Sequence, residues 1–289
     1  MSVSAYAVGI AWLSAIASVL LFAAIRLRRW LCPGWSGPPG WILDAVLAVS
    51  MLLVTSEIAG LFGWFTRVGV LLGVVVIGAA VAVAASASGP RASWSSTPSA
   101  PVFSGWALAL AIAASLVTAA IWAEPVLQSL HVGMYLQDST WYHLTFSAHF
   151  FQTGHTGGLL FTDPLRLAAW FYPQNSELLH AVGMVAFGND FLSPLINIGW
   201  MALALSAGWC VGRPFGCGPL TVLATSILLS SNMMQPQAGN APSDIPALFF
   251  LLATIAILAN AGAARSGSSS PRYPATGIGD RSSHETPFR

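Results

Sequence analysis

The sequence predicts an all-α, polytopic helical membrane protein with about seven transmembrane helices, and three observations carry that expectation. Of its 289 residues, 55% are hydrophobic and only 7% are charged, whereas soluble domains carry about a quarter charged residues. Seven stretches approach the roughly 20 apolar residues that a helix needs to cross a bilayer core about 30 Å thick. Nothing alternates with the period of a barrel strand, and lipid offers the backbone no partner outside a helix or a closed barrel. A net charge of +1 gives no reason to expect a nucleic-acid partner.

The apolar stretches are 6–25, 41–65, 68–86, 105–123, 190–209, 217–234 and 244–262. Residues 1–86 hold the first three and form an N-terminal membrane segment. A Ser/Pro-rich linker, 87–104, separates them from a core at 105–262. Cys32, Cys210 and Cys217 fall in or beside these stretches with no Cys-x-x-Cys or Cys/His spacing, so they read as small apolar residues. The first apolar run has no basic approach and is followed by arginines instead of a small-residue cleavage site, which argues against a removable signal peptide.

Arginine placement sets the expected orientation. The chain has no lysine; Arg26, Arg28 and Arg29 follow the first stretch, Arg91 follows the third, Arg213 the fifth, and Arg265, Arg272, Arg281 and Arg289 the seventh. Seven crossings put all nine on one side, expected to be cytoplasmic, and leave Arg67 and Arg166 on the other. The N-terminus is then outside, the C-terminus inside, and the outer loop is 124–189.

That loop contains His131, His143, His149, His155 and His180, and its acids Glu124, Asp138, Asp163 and Glu177 face one arginine. Within it, "STWYHLTFSAHFFQT" has loosely helical apolar spacing before Gly154, and "NSELLHAVGMVAFG" opens with a Ser-Glu pair after the helix-blocking "YPQ". Both read as short amphipathic helices at the outer membrane surface.

Asp138, in "DSTWYH", is the focal residue. A carboxylate at a membrane exit can act as a general base, ligate a divalent cation, or simply be solvated. Tyr142 falls one helical turn beyond it, with His143 adjacent. Asp244 opens the seventh stretch on the same outer side, where an ordinary helix cap would also place an acid. Gln237 and Asn240 precede it in "QPQAGNAPSDIP" and suit either sugar and phosphate recognition or a wet turn.

No dedicated metal site is expected. His143 and His149 are too far round a helix to share a face, and Glu177 with His180 supplies one Glu-x-x-His pair where a dimetal bundle uses two. Asp44 reads as structural, near a helix end. Glu57, deeper in the second stretch, is a functional candidate by position alone.

These motifs resemble the polytopic glycosyltransferases of the GT-C fold, particularly the bacterial branch related to protein O-mannosyltransferases and lipid A aminoarabinose transferases. In that family one outward helix leads to a loop bearing an essential Asp and two juxtamembrane helices, the order of residues 105–188 here. The resemblance spans roughly residues 105–262. It carries the catalytic acid onto Asp138, likens "FYPQNSELLHAVGMVAFG" with Tyr172, Pro173, Asn175, Glu177 and His180 to the second juxtamembrane element, and likens "SDIPALFFLLA" with Asp244 to a later helix.

It implies transfer of a sugar from a polyprenyl-phosphate donor to an extracytoplasmic hydroxyl at the plasma membrane. Asp138 would be the base, and Tyr142, His143, Gln237, Asn240 and Asp244 would bind phosphate, sugar or a divalent cation. Membrane lipid would be the other partner.

The chain departs from the family in three places. Ser139 stands where a second acid is common, residues 1–86 precede the core, and a polar stretch, "ARSGSSSPRYPATGIGDRSSHETPFR", stands where further helices are expected. Residues 263–289 read either as a disordered cytoplasmic tail or as non-native sequence after a truncation. Two other classes stay open: an inactive remnant or assembly subunit that needs a protein partner, and a transporter or flippase built around Glu57.

Overall fold

In a computed structural model the chain is an all-α membrane protein. The structure describes residues 2–88, 103–159, 169 and 172–268, with backbone alone for 264–268. Most of the linker, the loop around Asp163 and Arg166, and the tail from 269 lie outside the described residues. Nine α-helices are present among the described residues: α1 Val3–Leu31, α2 Gly37–Leu61, α3 Arg67–Ala87, α4 Gly105–Val132, α5 Leu144–Thr153, α6 Asn175–Phe187, α7 Ser193–Gly212, α8 Gly218–Leu229 and α9 Asp244–Ser268.

Six of these, α1, α2, α3, α4, α7 and α9, are long and apolar enough to cross a membrane. The seventh expected stretch, 217–234, holds a shorter helix. α8 has 12 residues, about 18 Å of helix, and a partly buried chain follows from 230 to 243 with a single 3-10 turn at Gln235–Gln237. Such backbone is tolerated at membrane depth only where protein satisfies it. Here it does: the Asn197 carboxamide of α7 donates to the carbonyls of Gln237 at 3.0 Å and Asn240 at 2.9 Å.

Contacts between helix ends sort the termini onto two faces. On one, Arg26 of α1 donates to Ser86 of α3 at 2.6 Å, Arg28 bonds Asp44 of α2 at 2.7 Å, Arg213 after α7 reaches Asn260 of α9 at 3.4 Å, and Phe103 before α4 packs on Trp209 with ring centroids 4.9 Å apart. On the other, Tyr6 of α1 packs on Phe187 of α6 at 5.2 Å, and Thr156 N–H donates to the Gly60 carbonyl of α2 at 3.2 Å. We term these the arginine face and the loop face; the grouping of Arg26, Arg28 and Arg213 matches the charge pattern of the sequence. Exposed aromatics mark both rims: Trp41 and Trp106 at the arginine face, Phe62, Trp64 and Tyr135 at the loop face. Trp41 and Phe62 lie on and just after α2, about 32 Å apart at 1.5 Å per residue, the thickness a bilayer core requires.

Three elements differ from the sequence expectation. α4 runs nine residues past 123, through Pro125, and stops only at Gly133, whose φ of 90° ends the helix; Glu124 and His131 are therefore helical. α9 likewise continues to Ser268. α6, expected at the surface, has eleven of its thirteen residues buried. It is enclosed by α1, α2, α5 and α7, and one apolar cluster joins Trp12, Ile16, Phe65 and Val70 to Phe146, Phe150, Leu178 and Ala181.

Arg67 explains how α6 ends in that enclosure. Its guanidinium donates to the Val185 carbonyl at 2.7 Å and the Ala186 carbonyl at 2.9 Å, satisfying acceptors that a helix end leaves open and complementing its dipole. Arg67 is thus a helix cap supplied in trans by α3. Gly9 lets α1 approach this end, since a Cβ there would meet the Ala186 carbonyl at 2.6 Å.

Candidate active site at the loop face

The chain leaves α4 at Gly133, runs extended to Leu136, and re-enters helix through a π-helical turn, Ser139–His143, that continues into α5. π-turns are rare and concentrate at functional sites. This one is fixed by partners from distant elements. Asn240 Oδ1 accepts the N–H groups of Tyr135 at 3.3 Å and Leu136 at 3.1 Å. Ser139 Oγ accepts the Ala241 N–H at 2.9 Å, and His143 Nδ1 bonds Glu177 Oε1 of α6.

Between these anchors, Asp138 is exposed and Tyr142 is half-buried. The Tyr142 ring stacks obliquely on His143 with centroids 4.1 Å apart and meets Tyr172 edge-on at 6.2 Å. Its phenol is pushed above its ordinary value of 10.0, first by burial and then by the carboxylates of Asp138 and Glu177, with Tyr172 and Asp244 adding to the same direction. Asp244, also exposed, is held by Gln237, whose Nε2 donates to Oδ2 at 2.8 Å while its Oε1 accepts the Ile245 N–H at 3.2 Å. Neither Asp138 nor Asp244 has a cationic partner among the described residues.

The ten residues singled out from the sequence thus divide in two. Asp138, Tyr172, Asn175 and Asp244 are exposed and Tyr142 partly so, whereas His143, Glu177, His180, Gln237 and Asn240 are buried. Gln237 and Asn240, expected to touch sugar or phosphate, have carboxamides occupied by intramolecular bonds and instead shape the backbone that carries Asp138 and Asp244. Asn240 Nδ2 also donates to the Pro236 carbonyl at 2.9 Å.

His180 is fully enclosed, and burial first, then the neighbouring His143, pull its ring from 6.5 to about 3, so it is neutral at physiological pH. Among the described residues neither of its nitrogens has a hydrogen-bond partner, nor does Glu177 Oε2. Ser147 stitches the pair together, donating to the carbonyls of His143 at 2.7 Å and Glu177 at 3.0 Å.

Sequence reasoning missed Ser139, Ser147, Asn197 and Arg67. The first two are ordinary hydroxyls in a helical stretch. Asn197 was visible only as a polar residue inside an apolar span, a signal that marks a functional or structural polar contact.

Among the described residues no three His, Cys, Asp or Glu groups converge to hold a metal ion. A divalent cation between Asp138 and Asp244 would have to draw its remaining oxygens from a substrate phosphate and water. Glu57, the transporter candidate, is exposed near the loop-face end of α2 and accepts a hydrogen bond from Thr156, so it is not buried against α7–α9. Asp44 is structural, as its pairing with Arg28 shows. The three cysteines are free.

No protein-family model matches the chain, and neither a curated protein nor a solved structure shows significant similarity to it.

Proposed function

We propose that this chain is a membrane glycosyltransferase that moves a sugar from a polyprenyl-phosphate donor to an acceptor hydroxyl at the loop face. In this reading the loop face is extracytoplasmic, the arginine face is cytoplasmic, and the membrane is the plasma membrane. One observation supports it above the others: the turn that carries Asp138 and Tyr142 is bonded both to the segment that leads into Asp244, through Asn240 and Ser139, and to Glu177 of α6, through His143, at the end of the bundle where a lipid-linked donor would present its head. The resemblance of residues 105–262 to GT-C enzymes supplies the reaction class.

Asp138 has the exposure a base needs. Its carboxylate takes the proton of the acceptor hydroxyl as that oxygen bonds the anomeric carbon. The bond from that carbon to the phosphate oxygen breaks, its electron pair leaves with the polyprenyl phosphate, and the configuration inverts. Tyr142, a protonated phenol raised further first by burial and then by nearby carboxylates, donates a hydrogen bond to a sugar or phosphate oxygen. Tyr172 meets Tyr142 edge-on, Asp244 is held by Gln237 at the start of α9, and Asn175 is exposed at the start of α6.

The test is release of polyprenyl phosphate from a synthetic polyprenyl-phosphate sugar by the full chain in lipid vesicles, with and without magnesium. Wild type should turn over, and Asp138→Asn should lose at least about a hundredfold, the contribution of a positioned base. Full activity in Asp138→Asn would remove Asp138 from the mechanism. No release by wild type, with release restored by a co-purifying protein, would favour the assembly-subunit reading.

A further inference from the structure

We propose that a second pocket at the loop face, between the end of α4 and the α6–α7 turn, is a subsite for a neutral sugar ring. The inference rests on the glycosyltransferase reading for its purpose and on the pocket itself for its chemistry. The pocket holds about 260 Å³, with mostly polar walls, between Ser129, Leu130, Gly133 and Met134 on one side and Asp190 and Phe191 on the other.

Its chemistry is that of an acceptor-rich cleft with an apolar plate. Asp190 is exposed and offers two carboxylate oxygens, the arrangement that accepts from two adjacent hydroxyls. α4 ends against the same place, at Gly133, and a helix leaves its final acceptors without intrahelical partners. Phe191 supplies a flat wall braced by Tyr6 at 5.1 Å and Phe187 at 5.9 Å, both edge-on, and its N–H is fixed by Asn189 Oδ1 at 3.1 Å.

No cation lines the pocket. A ligand that brings many O–H donors, one apolar face and no negative charge fits; a phosphate does not.

The pocket also adjoins the candidate active site. Met134 in its wall is four residues from Asp138, so their Cα atoms are at most about 14 Å apart, a distance that a short oligosaccharide bridges. The intervening Tyr135 and Leu136 are pinned to Asn240, so the two places keep a fixed relation. The acceptor's own sugar would rest on Phe191 and Asp190 while its reactive hydroxyl meets Asp138.

Saturation-transfer NMR on the full chain in detergent micelles tests this with methyl glucoside, methyl galactoside and methyl mannoside as probes, and glucosamine and glucose 1-phosphate as charged controls. At least one neutral glycoside should receive saturation, fall at least fivefold in Asp190→Ala and in Phe191→Leu, and be unchanged in Trp106→Leu at the arginine face. Absence of transfer to every neutral glycoside, or undiminished transfer in both pocket variants, overturns the subsite. Preference for glucosamine overturns its neutral character and makes it an amine site. Glycoside binding that depends on Asp190 in a chain that never releases polyprenyl phosphate would retain the subsite and remove the proposed reaction.

Discussion

The two faces of the bundle treat charge in opposite ways. At the arginine face four polar or charged contacts are tied into architecture: Arg28 bonds Asp44 and the Trp35 carbonyl, Arg26 bonds Ser86, and Arg213 reaches Asn260. At the loop face Arg67 is occupied in capping α6, while Asp138 and Asp244 have no cationic partner among the described residues and bear on Tyr142 with Glu177. Compensated charge holds helices together. Exposed acids held in a fixed relation by anchors such as Asn240 and Ser139 are what the proposed site needs.

Breaking the compensated pair should have the largest effect. Arg28→Met leaves Asp44 buried without its partner and should cost about 3–5 kcal/mol, read as loss of thermal stability in detergent. Asp138→Asn, an exposed change, should move stability by no more than about 0.5 kcal/mol. Comparable losses in the two variants would erase the contrast between the faces.

The buried scaffold of the loop face comes next. Asn197→Ala removes the donor that serves the carbonyls of Gln237 and Asn240, and should cost about 2–3 kcal/mol for acceptors left unpaired. The site should suffer with it, because the same irregular segment positions Asp244 and pins Tyr135 and Leu136. A variant with unchanged stability would show that the 230–243 path is held by other contacts.

His180 offers a smaller effect with a defined sign. Its folded pKa, about 3, lies below the ordinary 6.5, so the unfolded chain binds the proton first. Its contribution to stability is fully present above about pH 6.5 and is lost as pH falls toward 3, by up to about 1.4 kcal/mol per pH unit. Thermal unfolding from pH 7 to 4 should flatten by that slope in His180→Gln. An unchanged slope would mean that His180 is already protonated when folded. Smaller still, Ser139→Ala removes one buried hydrogen bond to Ala241 and should cost about 1 kcal/mol, visible in denaturant midpoint.

The contrast between faces also explains what the sequence showed and what it hid. Apolar run length placed α1, α2, α3, α7 and α9, and among the described residues Arg26, Arg28 and Arg213 lie at one face with Arg67 at the other, the division that their places along the chain suggested. The placement of Asp138 and Asp244 on one face followed from the parity of crossings. The rest depends on contacts between residues far apart in the chain, from His143 with Glu177 to Gly9 with Ala186. That α6 is enclosed follows from Arg67 and Gly9 on other helices, and the shortness of α8 follows from Asn197, which makes an irregular path tolerable. Gln237 and Asn240 looked like ligand-binding side chains for the same reason that they serve well as backbone partners: a carboxamide presents a donor and an acceptor at once. Pro125 would ordinarily suggest a helix end, but α4 continues through it, with Trp122 donating to the Leu229 carbonyl of α8 at 3.0 Å one turn earlier.

The convergence of acids on Tyr142 is the claim from which the proposed function follows, and titration of that phenol tests it without assuming any substrate. Ultraviolet difference titration of the full chain in micelles, with Tyr142→Phe to assign the transition, should show Tyr142 ionising above the ordinary tyrosine range. It should fall in Asp138→Asn and, decisively, in Asp244→Asn, whose site is about a hundred residues away in sequence. A Tyr142 transition that ignores Asp244→Asn would mean that the two acids do not share a site, and the loop face would be no active centre of the kind proposed.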